Sequence, residues 1–214
     1  MWLFRSGGIN WRVKMNSRFD SRTKETFKKD IKFGTRMESY WWNRWLNDAL
    51  VKLNTKISDP RDNGCGNDGE FIESGNTAGA DFMASIAYED REETDLPIEL
   101  KFVPTAGKFT LKQNDLKAYI REGAAILFVY NAVACGTDLR KPKDHNFERH
   151  IALIESKMDQ FKWGLMWPDA VDRLYEDALA KDKFQPIRYM GNKMGIVLPS
   201  SEFDLWFTQE GFHV

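Results

Sequence analysis

The amino-acid sequence predicts an α/β (α+β) protein in which strands and helices share a packed core. Three observations predict it. Trp42, Trp45, Leu46, Ala49, Leu50 and Leu53 recur at helical spacing and form one apolar stripe. Phe82, Ala84, Ile86 and Tyr88, and then Leu96, Ile98, Leu100 and Phe102, alternate with the period of two that a strand imposes. Residues 124–131, AAILFVYN, form a continuous apolar run of the kind found in a strand covered on both faces.

Of the 214 residues, 42% are hydrophobic and 29% charged, which permits a core and argues against global disorder. Cys65 and Cys135 form no C-x-x-C pair. With His145, His150 and His213 as the histidines, the pattern does not suit zinc. No apolar run is long enough to span a bilayer and no signal-peptide pattern follows Met1, so the sequence predicts a soluble, cytoplasmic protein without a membrane partner.

The net charge of −1 is unevenly spread. Residues 1–33 carry nine Lys/Arg against Asp20, Glu25 and Asp30, a net of +6, and include Trp2 and Trp11. Such an arm on an acidic body suits contact with a polyanion, although a solvated basic terminus has the same composition. The division this suggests is a basic arm at 1–33, a core at 34–132 and an extension of helices and strands at 133–214 packed on the core.

The elements follow in order. Residues 35–54 read as a helix, with Thr35 and Glu38 at the spacing of a capping box. Glu38 also stands one turn before Trp42, at the head of the buried stripe. Trp41 departs from that stripe, which leaves it for another lobe or for a second copy in a homodimer. Residues 58–70 read as a loop whose Asp, Asn and Gly do not fit a calcium loop. Residues 70–74 suit a short strand. Residues 79–103 read as a hairpin around the acidic turn 89–95. With the turn centred on residue 90, Asp81 lies opposite Glu99; centred on 91, it lies opposite Lys101.

Residues 110–123 suggest a helix with Leu116, Tyr119 and Ile120 inward and Gln113 on the same face. Lys101, Lys108, Lys112, Lys117 and Arg121 make that stretch basic. Residues 144–161 and 168–184 read as helices, with strands at 191–199 and 203–207. His145 and His150 read as solvated or helix-capping.

In either register Asp81, Glu99 and Lys101 would converge on one patch of the sheet, and that patch carries the chemistry. Two carboxylates about 4 Å apart repel by roughly 4 kcal/mol at an effective dielectric near 20, and something must offset that. A hard divalent ion such as Mg²⁺ suits side-chain oxygens of Asp81 and Glu99 and the Leu100 carbonyl. Lys101, on the same strand face as Glu99, could orient a water or stabilise transition-state charge. A plain Glu99–Lys101 surface pair, worth about 0–1 kcal/mol, is the competing reading.

The order of these elements resembles the PD-(D/E)XK, or restriction-endonuclease-like, nuclease superfamily, over roughly residues 35–131. The motif is read in GADF (79–82), a spacing of 17 residues, and IELKF (98–102). Asp81 matches the first acid, Glu99 the second and Lys101 the lysine. Glu38 matches the acid on the first helix, and Gln113 a polar residue some branches place on the helix after the lysine strand. Ala80 departs from the motif, whose name puts proline there.

The resemblance implies an αβββαβ core with a mixed central sheet flanked by helices. It implies Mg²⁺ held by Asp81, Glu99, Leu100 and Glu38, with Mn²⁺ able to substitute. It also implies hydrolysis of DNA phosphodiester bonds. The expectation is an endonuclease; the alternatives are an exonuclease at duplex ends and a non-catalytic DNA-binding protein that keeps the fold.

Overall fold

A computed structural model describes residues 23–46, 55–62, 79–88, 94–103, 108–131, 133, 143–188, 191–199 and 208–209. Helix α1 spans Lys24–Trp41 and runs on into a π-helical turn, Trp42–Leu46. Its N-cap is Thr23, whose side chain accepts from the Thr26 N–H at 3.1 Å. The expected capping box is therefore corrected: Thr35 lies inside the helix and has no free terminus to cap. Gly34 does not break the helix, and the space where a Cβ would sit is open. Residues 24–33 of the expected arm are thus the first turns of α1, while 1–22 and 47–54 lie outside the described residues.

The buried stripe of α1 is Phe33, Met37 and Trp41, spaced by four, joined by Trp42. Trp41 is fully buried between Phe102 and Phe161, with ring centroids 5.2 and 5.3 Å away. The expectation that it reaches outward is overturned. Its own stripe lies upstream, and the π-helical turn that follows lets adjacent Trp41 and Trp42 both face the core.

The central sheet has six strands: β1 (Thr55–Asp62), β2 (Phe82–Tyr88), β3 (Thr94–Val103), β5 (Ala125–Asn131), β6 (Phe161–Met166) and β9 (Thr208–Gln209), in the order β1-β2-β3-β5-β6-β9. Strands β3 and β5 run parallel and the other neighbours antiparallel, so the sheet is mixed. Between β3 and β5 the chain makes β4 (Lys108–Lys112) and helix α2 (Gln113–Glu122). Strand β4 joins a second, antiparallel sheet with β8 (Lys193–Pro199) and β7 (Gln185–Ile187).

Two cores cover the two faces. Phe33, Met37, Trp41, Leu100, Leu127 and Ile154 belong to one; Phe109, Leu116, Tyr119, Phe128, Val171 and Ile196 belong to the other. Strand β5 feeds both through alternate residues and is buried throughout, as its apolar run predicts. Helix α1 and helix α3 (Phe147–Glu155) pack on one face. On the other lie α2, helix α4 (Pro168–Ala180) and the small sheet.

Several boundaries differ from the sequence reading. Residues 58–62 are strand rather than loop. A register shift between Ser58 and Arg61 accommodates Pro60, which lacks a ladder donor. Residues 110–112 belong to β4, and the helix begins at Gln113. The helix expected over 144–161 is only Phe147–Glu155, followed by a 3₁₀ turn at Met158–Gln160 and β6. Among the described residues the C-terminal part combines helices and strands: β6 and β9 enter the central sheet, and β7 and β8 join β4 in the second.

His150 is buried against Phe33, centroids 5.3 Å apart, and the His145 Nε2 lies 2.6 Å from Asp30 Oδ1, so neither is solvated. Residues 70–74, 89–93 and 203–207 lie outside the described residues. Among the described residues no helix is long and apolar enough to cross a membrane.

Candidate active site

Strand β2 pairs with β3 through Phe82↔Ile98, which centres the hairpin on residue 90. Continued by one residue, that register sets Asp81 opposite Glu99, the first of the two expected arrangements. Asp81 itself has left the strand, in the bend that Gly79 and Ala80 open. Its Oδ2 instead accepts from the Leu100 N–H at 3.1 Å. A strand residue turns its N–H and C=O toward the same neighbour. The Leu100 carbonyl therefore leaves β3 on the edge that Asp81 occupies.

On the face of β3 toward α2, Glu99 is buried and its Oε1 is paired with Lys101 Nζ. Two further groups complete the cluster. Tyr119, on α2, is buried beside that pair, with Lys101 Nζ 5.7 Å from its ring centroid. Glu38 approaches from α1, one turn before Trp42, whose ring stacks on Phe82 at 4.4 Å. The structure thus brings Glu38, Asp81, Glu99 and Lys101 within electrostatic reach of one another.

The charges are badly matched. Burial pushes the Asp81 carboxyl up to about 8, and Glu99 and Glu38 add to the rise, while Lys101 and the Leu100 N–H pull it down. Burial likewise raises Glu38 to about 6, with Lys101 opposing and Glu99 reinforcing. Burial alone would lower Lys101, but Glu99, Tyr119 and Asp81 hold it well above the ordinary lysine value. Lys101 is therefore a fixed cation and not a proton acceptor. Tyr119 is raised by burial and by Glu99, so its hydroxyl stays a donor.

Three carboxylates facing one ammonium leave negative charge in a desolvated place, which is the condition a hard cation relieves. The donor set fits Mg²⁺, which takes a few oxygens and keeps its own waters. Among the described residues no three His, Cys, Asp or Glu side chains form a preformed cage for a metal.

Gln113 is the first residue of α2, six residues before Tyr119. Among the described residues, no hydrogen bond or ion pair joins it to the carboxylates. The bend before Asp81 is held from the other end of that helix: the Ala80 N–H donates to Glu122 Oε2 at 3.1 Å. A proline at position 80 could not make this bond. Sequence reading assigned Tyr119 to the core and passed over Glu122. Their signal was the spacing of three, which puts a buried hydroxyl and a carboxylate on one face of α2.

A groove of about 610 Å³ lies apart from this cluster, along α1, where Lys32, Arg36 and Arg44 line it beside Tyr40 and Phe147. Arg36 there is engaged by Glu148 at 3.0 Å. In comparisons with known proteins the chain matches no family model, no curated protein and no solved structure.

Proposed function

We propose that this protein is a Mg²⁺-dependent DNA endonuclease of the PD-(D/E)XK type. The observation that carries the reading is the meeting of Glu38, Asp81, Glu99 and Lys101 beside the edge of β3 that β2 leaves at Phe82. The first sheet draws its elements in the order α1, β1, β2, β3, α2, β5, with β4 branching into the second sheet. That order agrees with the αβββαβ expectation.

In this reading Asp81, Glu99, the Leu100 carbonyl and Glu38 would hold the ion, directly or through its waters. A bound Mg²⁺ supplies polarisation of the phosphoryl oxygen and a more acidic water. The chain's own residues do the rest. The Leu100 N–H fixes the Asp81 carboxylate against β3. Glu99 holds Lys101 in place and charged. Lys101 offers its ammonium to the oxygens that gain charge as the phosphodiester is attacked. Glu99 is buried and Lys101, Asp81 and Glu38 are half-buried, so that charge is worth more than on an open surface. Exposed Lys108, Lys117 and Arg121, on β4 and α2, would add positive charge for the phosphate backbone.

The test is plasmid nicking with Mg²⁺ and with EDTA. Asp81→Asn and Glu99→Gln should each abolish Mg²⁺-dependent nicking while remaining folded. Cutting of linear duplex alone would make the enzyme an exonuclease. Undiminished nicking by both variants would overturn the site.

A further inference from the structure

Helix α2 touches both acid-bearing segments through two side chains three residues apart. Tyr119, 2% exposed, stands beside the Glu99–Lys101 pair of β3, its ring centroid 5.7 Å from Lys101 Nζ. Glu122, one turn on, accepts through Oε2 from the N–H of Ala80, the fully buried residue immediately before Asp81. Its Oε1 faces Arg121 at 3.6 Å, so the two oxygens of Glu122 serve different groups. The helix ends directly after, at Gly123, whose φ of 65° closes the C-cap and turns the chain into β5. Because β5 pairs in parallel with β3 from Ile98↔Ala125 onward, the end of α2 is tied to the strand that carries Glu99.

We infer that α2 is the positioning helix of the site, with Tyr119 bracing the Glu99–Lys101 pair and Glu122 holding the bend of Asp81, so that together they fix the separation of the two acids. The inference rests on the metal-site reading of Asp81 and Glu99. Neither side chain is a ligand in it. Tyr119 brings its hydroxyl within electrostatic reach of the Glu99 carboxylate, in the place that the outer partners of metal ligands take. Glu122 acts through the backbone, one peptide away from Asp81. Without the Glu122 bond the Gly79–Ala80 bend loses an anchor, and the Asp81 carboxylate keeps the Leu100 N–H. The inference also accounts for a residue other than proline at position 80, since the anchor needs a backbone N–H there.

The experiment measures Mn²⁺ binding to the full chain without DNA, by the electron paramagnetic resonance of free Mn²⁺ and by calorimetry. The variants are Tyr119→Phe, Glu122→Ala and Glu122→Gln, with Asp81→Asn as control and thermal melts alongside. Glu122→Ala and Tyr119→Phe should each weaken Mn²⁺ binding by about 10–100-fold, the usual cost of losing an outer partner, with melting temperatures little changed. Glu122→Gln keeps an amide oxygen for the Ala80 N–H and should bind nearly as wild type does. In cleavage, the Mg²⁺ concentration for half-maximal rate should rise while the rate at saturating Mg²⁺ recovers.

Equal Mn²⁺ binding by wild type and Asp81→Asn would bring down the metal-site reading, and this inference with it. Loss in Asp81→Asn with wild-type binding in both Glu122→Ala and Tyr119→Phe would overturn the inference alone. Binding by Glu122→Gln as weak as by Glu122→Ala would make Glu122 a source of charge and not an anchor. Should Glu122→Ala fail to fold, Tyr119→Phe, which removes a single oxygen, carries the test.

Discussion

The Leu100 N–H donates to Asp81 Oδ2 at 3.1 Å, so a side chain stands where the backbone of β2 would otherwise have continued the ladder. That substitution gives β3 an edge inside the sheet. It also puts the first acid beside the strand that carries the second, at the cost of two poorly solvated carboxylates close together. The pKa directions follow from this arrangement, and so does the first prediction.

Asp81 is held up at about 8 in the folded chain, against 3.8 for an ordinary aspartate. Between those values the folded state keeps a proton that the unfolded chain has released. The stability this group contributes is whole below about pH 3.8 and is lost as pH rises through about 8. Glu38 does the same between 4.5 and about 6. Buried His150, lowered by burial, has the opposite sign, and its contribution is lost as pH falls below the ordinary histidine value of 6.5. In EDTA the melting temperature should therefore fall from pH 6.5 to 8.5, and Asp81→Asn should flatten that fall. Thermal melts of both proteins at fixed ionic strength check it. A parallel decline in the two would mean that Asp81 is not the group responsible.

Removing the cation should be as costly as removing an anion is helpful. Lys101→Met leaves Glu99 buried beside Asp81 without its ion pair. Breaking a fully buried pair costs about 3–5 kcal/mol. Lys101 keeps 29% side-chain exposure, so solvent screening brings the expected loss to roughly 2 kcal/mol. Urea unfolding in EDTA measures it. Added Mg²⁺ should restore part of the loss by supplying positive charge at the same place, while cleavage stays absent. Equal loss with and without Mg²⁺ would separate the ion from Glu99.

How much of this was legible in the sequence depended on whether a signal was local. The hairpin was, because strand alternation and the acidic segment between the strands leave two registers, centred on 90 or 91, of which Phe82↔Ile98 is the first. Strand β5 was legible for the same reason. The start of α1 was not: Lys24–Lys32 is mostly charged, so it lacks the stripe that marked residues further on, and the Thr35–Glu38 spacing imitated a cap. Strand β6 was hidden because Phe161, Trp163 and Leu165 follow a helix with no Gly or Pro between them. Asp81, Glu99 and Lys101 were readable from spacing within one hairpin. Tyr119 and Glu122 were not, since the residues they meet at 99 and 80 are distant in sequence and only the parallel crossover brings them near.

The two threonines of α1 give a clean contrast. Thr23 is the N-cap and accepts from the Thr26 N–H, so Thr23→Ala should cost about 0.5–2 kcal/mol. Thr35 sits in mid-helix, where alanine has the better propensity, and Thr35→Ala should be neutral or stabilising by a few tenths of a kcal/mol. Chemical denaturation of both variants checks the pair. Neither should change cleavage. A larger loss from Thr35→Ala than from Thr23→Ala would return the helix start to residue 35.

Glu38 is the residue whose role the fold redefines most. It is the fifteenth residue of α1, and its carbonyl accepts from the Trp42 N–H in the ordinary helical way. With Thr23 as the cap, its side chain has no capping box to complete. What surrounds it is Lys101 and Glu99, and burial holds its carboxyl near 6. Glu38→Gln keeps the shape and removes the charge. In EDTA at pH 8 the variant should melt higher than wild type, because the wild-type carboxylate is ionised there in a desolvated, acidic setting. The same charge helps to hold a divalent ion, so the variant should need about tenfold more Mg²⁺ for half-maximal cleavage. Its rate should recover in part at high Mg²⁺ or with Mn²⁺. The two effects have opposite signs and one cause, which a packing defect cannot imitate: a defect lowers the melting temperature and leaves the Mg²⁺ dependence alone. Higher metal-free stability together with an unchanged Mg²⁺ titration would leave Glu38 near the cluster but take it out of the metal site.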